Sequence, residues 1–239
     1  MTTIPIALEQ TQAPRRRGAR LWALPVSDVA HRVLMVTLAL IGIILTLPLL
    51  VGVALAVRLS SHGPILYTQT RIGVNRRRRR PPGDRYREAD RGGRPFTMFK
   101  FRTMLVSDDA QASSAQVWAT PDDPRITRVG RVLRRYRLDE LPQLFNVLLG
   151  DMDIVGPRPE QPAIFARLRD QIPGYQERQR VRPGITGWAQ INQHYDTSIE
   201  DVRRKLEYDL EYIARRSLTE DLRIMLRTVP ALAGKCSGW

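Results

Sequence analysis

The chain has 239 residues, 43 % of them apolar, and a formal charge of +14 from 38 basic and 24 acidic side chains. That is enough apolar material for one packed domain plus an anchor, or two small domains, and it excludes wholesale disorder. One cysteine excludes an internal disulfide or a cysteine-rich zinc site, and three scattered histidines have no metal-ligand spacing. Only Lys100, Lys205 and Lys235 are lysines, so arginine carries the basic excess. Arginine grips phosphate oxygens in a bidentate way that lysine cannot copy. The charge therefore favours an anionic partner (nucleic acid, lipid headgroups or a phosphorylated small molecule), with a merely solvated basic face as the alternative.

Residues 1–28 form a basic N-terminal segment. From Val33 to Val57 no residue is charged, and Arg32 and Arg58 bracket the run. As a helix this run is roughly 37 Å long, against a hydrocarbon core of about 30 Å. The pattern predicts a membrane helix over residues 29–59; the run is too long and too late in the chain for a cleaved signal peptide. Pro48 removes a backbone donor and crowds the carbonyl of Ile44, and the hydroxyl of Thr46 is close enough to satisfy a freed carbonyl. Arginines stand on both flanks, at 15, 16, 17, 20 and 32 before the run and at 58, 71 and 76–80 after it. A spanning helix leaves one flank depleted of Lys and Arg. The economical solution is a helix broken near Pro48 that enters and leaves by the cytoplasmic face; an ordinary kinked span is the alternative.

Residues 60–239 then form a membrane-associated domain. Ile65, Tyr67 and Ile72 alternate between Gly and Pro punctuation and predict one or two short strands in 60–75. The Arg-, Pro- and Gly-rich stretch at 76–94 reads as a loop, either touching anionic ligands or simply solvated. PFTMFKFRTM (95–104) predicts a strand with Lys100 and Arg102 on one face, followed by a polar connection. From Thr127 to Arg137, Val129, Val132, Leu133 and Tyr136 mark one helical stripe. A second helix is expected over 140–149, with Leu141, Leu144, Phe145 and Leu148 inward and Gly150 as its stop. DIVGPRP reads as a strand entering a rigid turn, and RVRPGITGWAQIN as a turn-rich stretch. Ile199, Val202, Leu206, Leu210 and Ile213 mark a long amphipathic helix. Ser217 and Glu220 form a capping box for a last helix with Leu218, Leu222, Met225, Leu226 and Val229 apolar. These terminal helices suit either the bilayer interface or an ordinary core. The expected class is α+β, a mostly helical small catalytic domain with short strands.

Asp139 and Glu140 stand where the two central helices meet. A structural reading makes Asp139 the N-cap and Glu140 a complement to the helix dipole, with Pro142 in the first turn. A chemical reading starts from the arginines that precede them. Guanidinium neighbours keep a carboxylate ionised, and an ionised carboxylate can hold Mg²⁺ or attack phosphorus. Arginine and Mg²⁺ would neutralise a diphosphate and its leaving group. Arg158 lies between Pro157 and Pro159, which restrict its backbone and present its guanidinium as a phosphate clamp or as a rigid surface turn. No Walker A or GxGxxG sequence is present, so the usual ATP and dinucleotide sites are unsupported.

At GPILYTQTRIG, FTMFKFRTM, LDELPQLFNVLLGDMDIVGPRP and VRPGITGWAQIN the chain resembles the bacterial sugar transferase family, the monotopic polyprenyl-phosphate phosphoglycosyl transferases. The resemblance covers roughly residues 30–230, with the motifs in family order after an apolar segment. It implies an Asp nucleophile that attacks the β-phosphate of a UDP-sugar, releases UMP and passes the covalent phosphosugar to a polyprenyl phosphate such as undecaprenyl phosphate. On this chain the nucleophile is Asp139, with Glu140 as its partner in holding Mg²⁺. Arg134 and Lys100 match basic positions before the site, and Arg158, between Pro157 and Pro159, would face the polyprenyl phosphate. Gly187 and Gln190 would help form the nucleotide-sugar pocket. The resemblance also implies a re-entrant helix and a monotopic protein at the cytoplasmic face of the bacterial inner membrane, in glycoconjugate or exopolysaccharide assembly. Relatives often carry Ser-Pro at the helix break, where this chain has Leu47-Pro48 with Thr46 one place earlier. The 76–94 insertion is outside the common pattern.

Two other classes compete. A membrane-tethered nucleic-acid binder would use the arginine runs, but they are not interleaved with stacking aromatics and no nucleic acid is expected as partner. An inactive scaffold would not need the full Asp-Glu and Pro-Arg-Pro set. Glucose, galactose and N-acetylated sugars are all compatible with the sequence.

Overall fold

The computed structural model describes residues 28–75, 92–105, 123–193 and 198–234. The Arg76–Arg80 run, residues 1–27 of the basic N-terminal segment and most of the polar connection before Asp123 lie outside these residues.

Helix α1 spans Asp28–Ser60, 33 residues, or about 50 Å. It remains helical through Pro48, where the sequence pattern predicts a break. Thr46 does spend its hydroxyl on a backbone carbonyl, but on Gly42 at 2.7 Å rather than on Ile44. Such back-bonding to the preceding turn bends a helix without ending it. His31, Met35 and Ala39 near one end and Leu50, Val53 and Val57 near the other are buried on one stripe. Leu45, Val51 and Leu59 are among the large apolar residues exposed on the rest of the surface.

That stripe lies against the domain over its whole length. Met35 and Ala39 pack with Phe96, Met98, Val147 and Met152, whereas Leu50, Val53 and Val57 pack with Phe101 and Leu133. Both ends are tied by guanidinium groups. Arg32 donates to the carbonyls of Val147 and Met152 and to Asp153. Buried Arg102 donates to the carbonyls of Val57, Ser61 and His62, satisfying groups that a helix C-terminus leaves without partners. A polar network adds to the first tie: His31 meets Asp221 at 2.6 Å, and Asp221 accepts from the Tyr212 hydroxyl at 2.7 Å.

Strands β1 (Leu66–Ile72) and β2 (Pro95–Phe101) pair antiparallel, with Tyr67 opposite Lys100 and Arg71 opposite Phe96. Helix α2 (Arg128–Arg135) starts at Thr127, whose hydroxyl accepts from the Gly130 amide. Gly130 leaves room for the Thr103 carbonyl, which any Cβ there would strike. Leu133 is buried, but Val132 and Tyr136 of the expected stripe are more than half exposed.

Helix α3 covers Gln143–Leu149 and stops at Gly150, which takes the left-handed conformation at φ 88°. It begins three residues later than expected, and its inward face is Gln143, Asn146 and Val147 rather than the leucine and phenylalanine stripe. Phe145 is exposed; Leu144 and Leu148 pack partly against the cluster that holds Met35 and Ala39. Asn146 is fully buried and supplies β2 with ladder bonds, accepting from the Phe99 amide at 3.0 Å and donating to the Thr97 carbonyl at 2.7 Å.

Strand β3 (Asp153–Val155) pairs parallel with β4 (Gly184–Thr186). The crossover between them holds α4 (Pro162–Gln171), absent from the sequence reading, and a 3-10 turn at Tyr175–Arg180. Phe165, Leu168, Ile172 and Tyr175 of this crossover form a core with Ile72, Val202 and Leu206. The stretch expected to be turn-rich thus contributes β4 and the short helix α5 (Trp188–Asn192).

Helix α6 (Ile199–Arg215) opens on a full capping box between Ser198 and Asp201. Helix α7 (Leu218–Gly234) begins where Ser217 accepts from the Glu220 amide at 3.2 Å. Its predicted apolar stripe is divided: Leu222, Leu226 and Val229 are exposed, whereas Met225 packs against buried Val155, Tyr212 and Ile224. The architecture is therefore α+β, with helices carrying most of the chain, two two-stranded sheets and one long apolar N-terminal helix.

Candidate active site

Asp139 and Glu140 do not cap α3. They form a 3-10 turn, Leu138–Glu140, entered from Arg137 at φ 53°, a left-handed backbone for a non-glycine residue. The N-cap of α3 is Pro142, with no side-chain bond. Both carboxylates are buried, 8 % exposed each. A strained, non-capping turn that buries two adjacent acids has no obvious structural purpose, and such strain concentrates at functional sites.

Two distant cations converge on this turn. The Lys100 ammonium donates to Glu140 Oε1 at 2.8 Å and the Arg158 guanidinium donates to the same oxygen at 2.7 Å. The Arg137 guanidinium stands 3.9 Å from Glu140 Oε2. Lys100 reaches the site from β2, held by Asn146; Arg158 reaches it from the turn after β3. Burial opposes ionisation of Glu140, but Arg158 and Lys100 hold its carboxyl well below the usual glutamate range.

Asp139 behaves differently. Among the described residues, none donates a hydrogen bond to its carboxylate. Burial raises its pKa above the ordinary value, assisted by the Glu140 charge, and Lys100, Arg134 and Arg158 only partly counteract this. The expectation that the arginines keep both acids at low pKa is met by Glu140 and corrected for Asp139, because desolvation outweighs the neighbouring cations there. Arg134 is oriented by a bond from Nε to the Thr103 hydroxyl at 2.8 Å.

The Pro157-Arg158-Pro159 turn is held by more than its prolines. Four successive carbonyls accept bonds from outside it: Pro157 from the Gly184 amide at 3.0 Å, Arg158 from Arg178 at 3.0 Å, Pro159 from Arg71 at 3.1 Å and Glu160 from the Ile72 amide at 2.9 Å. Arg178 is itself buried, and it binds Glu160 and Asp209. Gly187 and Gln190 sit behind this turn. A Cβ at Gly187 would strike the Gly156 carbonyl, and the Gln190 amide donates to Ile185. They buttress the backbone that presents Arg158.

The structure therefore brings together Lys100, Glu140 and Arg158, with Asp139 and Arg134 close enough to interact electrostatically. The sequence reading missed Asn146, Arg71 and Arg178. Asn146 was marked by being, with Gln143, one of two amides in an otherwise apolar helical run. Arg178 carried no such mark, since it stands among other charged residues in QERQR.

Comparison with known proteins bears on this geometry. The profile of the bacterial sugar transferase family matches residues 26–235. The chain is 42 % identical over 196 residues to UDP-glucose:undecaprenyl-phosphate glucose-1-phosphate transferase of Escherichia coli (strain K12), covering 81 % of this chain and 38 % of that protein. It is 38 % identical over 205 residues to UDP-N-acetylgalactosamine-undecaprenyl-phosphate N-acetylgalactosaminephosphotransferase of Aeromonas hydrophila, covering 86 % and 44 %. A protein of Caulobacter vibrioides (strain ATCC 19089 / CIP 103742 / CB 15), named as the first is, is 42 % identical over 207 residues, covering 86 % and 70 %. The chain spans about two fifths of the length of the first two relatives. With the profile matching most of its length, the chain belongs to the bacterial sugar transferase family.

Proposed function

We propose that the chain transfers a sugar 1-phosphate from a UDP-sugar to a polyprenyl phosphate, releasing UMP, through a covalent phosphosugar on Asp139. The observation that carries this reading is the division of labour in the buried pair. Glu140 is ionised and engaged by Lys100 and Arg158, whereas Asp139 has no hydrogen-bond donor on its carboxylate. A desolvated carboxylate with no donor on its oxygens is the better nucleophile of the two.

In the first step an Asp139 oxygen bonds to the β-phosphorus and the bond from that phosphorus to the bridging oxygen breaks. UMP leaves with the bonding electron pair. In the second step a phosphate oxygen of the polyprenyl phosphate attacks the same phosphorus, and the Asp139 carboxylate is regenerated. Lys100, Arg134 and Arg158 lie where they offset negative charge on the phosphoryl oxygens.

Mg²⁺ fits the site as a substrate-borne ion. Glu140 Oε1 is already taken by two cations, and no three His, Cys, Asp or Glu side chains form a metal cluster among the described residues. Mg²⁺ commonly takes one or two carboxylates plus substrate phosphate; Asp139 and Glu140 Oε2 would hold it beside the diphosphate. When bound, it supplies neutralisation of the diphosphate charge.

The membrane arrangement proposed is re-entrant, and α1 supports it. Both of its ends are tied to the same domain, through Arg32 and Arg102, which favours entry and exit on one bilayer face over a span. The exposed apolar faces of α1 and α7 supply the lipid contact, and the cytoplasm, where UDP-sugars are made, is the proposed side. The test is UMP release from a panel of UDP-sugars by the full chain in lipid nanodiscs, with label from the sugar phosphate trapped before acceptor is added. Turnover of Asp139→Asn at a near-normal rate would sink the nucleophile assignment.

A further inference from the structure

Arg71 is a partly buried cation near the site with no carboxylate among its hydrogen-bond acceptors. It lies on β1, and its guanidinium donates to the Pro159 carbonyl at 3.1 Å and to the Gln69 side-chain oxygen at 2.6 Å. Both acceptors are neutral. Its third nitrogen, Nε, is buried with no hydrogen-bond partner. A guanidinium withdrawn from water is ordinarily matched by a carboxylate. The nearest acids do not supply that match. Glu160 is bound by Arg178 and Lys205, and Glu140 by Lys100 and Arg158. Burial and the neighbouring Arg158 charge push the Arg71 guanidinium down to about 10.

Arg158 is the link between two groups of cations. It acts on Asp139 together with Lys100 and Arg134, and it also stands beside Arg71. One anion position would lie at Asp139, and a second at the Pro157–Pro159 turn, where Arg71 reaches the Pro159 carbonyl one residue beyond Arg158. Tyr67, which precedes Arg71 by four residues on the same strand face, is half exposed and pairs with Lys100 across the hairpin. The second position thus borders the open side of the hairpin rather than the interior.

The geometry points to Arg71 and Arg158 as a two-guanidinium subsite for a phosphate group other than the one that reacts at Asp139. This deepens the transferase reading and rests on it for the ligand's identity: the phosphate belongs either to the polyprenyl phosphate or to the nucleotide end of the diphosphate. Two guanidinium groups on one phosphate give strong, charge-assisted binding without a metal.

The test uses the full chain in nanodiscs, as wild type, Arg71→Gln and Arg71→Lys, with KM measured separately for UDP-sugar and polyprenyl phosphate. Loss of a charged hydrogen bond predicts a rise in KM of about tenfold or more for one of the two substrates in Arg71→Gln, with partial recovery in Arg71→Lys. The substrate whose KM rises names the source of the phosphate. KM values within about twofold of wild type for both, or a loss confined to kcat, overturn the subsite. Line broadening of inorganic phosphate in ³¹P NMR reads the same subsite without turnover: wild type broadens the signal more than Arg71→Gln does, and equal broadening overturns the proposal. Because this arm needs no transfer reaction, failure of the transferase reading and failure of the subsite are told apart.

Discussion

Two charge clusters lie on either side of the Pro157–Pro159 turn, and they are built to different ends. Behind it, Glu160 and Asp209 face Arg178 and Lys205, two acids against two bases, each within hydrogen-bond reach of an opposite charge. In front of it, Asp139 and Glu140 face Lys100, Arg158, Arg134, Arg137 and Arg71, a cationic surplus among the described residues. The first cluster closes on itself and fixes backbone. On the proposed reading, the anionic substrate is what balances the second. Burial divides them as well: the Arg178 and Asp209 side chains are 3 % and 2 % exposed, whereas those of Arg158 and Arg137 are 35 % and 38 % exposed.

The comparison can be broken at either side. The largest effect is expected from Asp139→Asn, which should lower turnover by at least about a thousandfold, or about 4 kcal/mol of barrier. Its melting temperature should stay level or rise, because the substitution removes an acid that burial disfavours. Rate and melting curves together check this, and a large loss of stability would move Asp139 into the scaffold class. Glu160→Gln should do the reverse, costing about 3–5 kcal/mol of stability by leaving Arg178 and Lys205 buried without their shared acid. Arg178 and Lys205 hold the Glu160 carboxyl below its ordinary range despite its burial. Its stabilising contribution is therefore present above the unfolded glutamate value, about 4.3, and is lost as pH falls below it. Denaturation measured from pH 7 to pH 3 should show that acid loss in wild type and little of it in the variant.

Asn146→Leu removes two bonds to β2 and should destabilise by about 1–3 kcal/mol. By loosening the strand that carries Lys100 it should also lower the rate of phosphosugar trapping. For activity, the acid limb should lie above the ordinary aspartate range, since burial raises Asp139 and its charged form is the one proposed to attack. Below that limb the rate should fall about tenfold per pH unit. Lys100→Met should move the limb to still higher pH, because Lys100 is the foremost cation opposing the rise; a limb that stays put would deny Lys100 that influence. The smallest effect belongs to Thr46→Val, about 0.5–1 kcal/mol in either direction, since its hydroxyl shares a carbonyl already inside the helix. Thermal melting in nanodiscs is sufficient to detect it.

Much of this was legible in the residues, for identifiable reasons. The uncharged run and its bracketing arginines gave α1 to within a few residues, because hydrophobic length is a one-dimensional signal. Gly150 marked the end of α3 through its conformational freedom. The likeness in four motifs brought Lys100, Glu140 and Arg158 to one place, which no spacing along the chain suggested. The misses were matters of what covers a surface. Phe145 has the pattern of a buried face, and it points outward because none of the described residues covers it. Arg178 was missed because a buried arginine is written like a surface one, and its partners Glu160 and Asp209 lie far away in sequence. Asp139 was misjudged because the number of nearby arginines says nothing about how completely water is excluded.

The guanidinium ties at Arg32 and Arg102 carry one more consequence. A hydrophobic segment fused to an enzyme can usually be cut off to leave a soluble core. Here Met98, Phe101, Leu133 and Val147 rest directly on α1, so trimming residues 28–60 would unroof the interior beside the reacting carboxylates. Helix α1 is thus also a wall of the folded domain, and on the proposed reading chemistry and insertion cannot be separated with a protease.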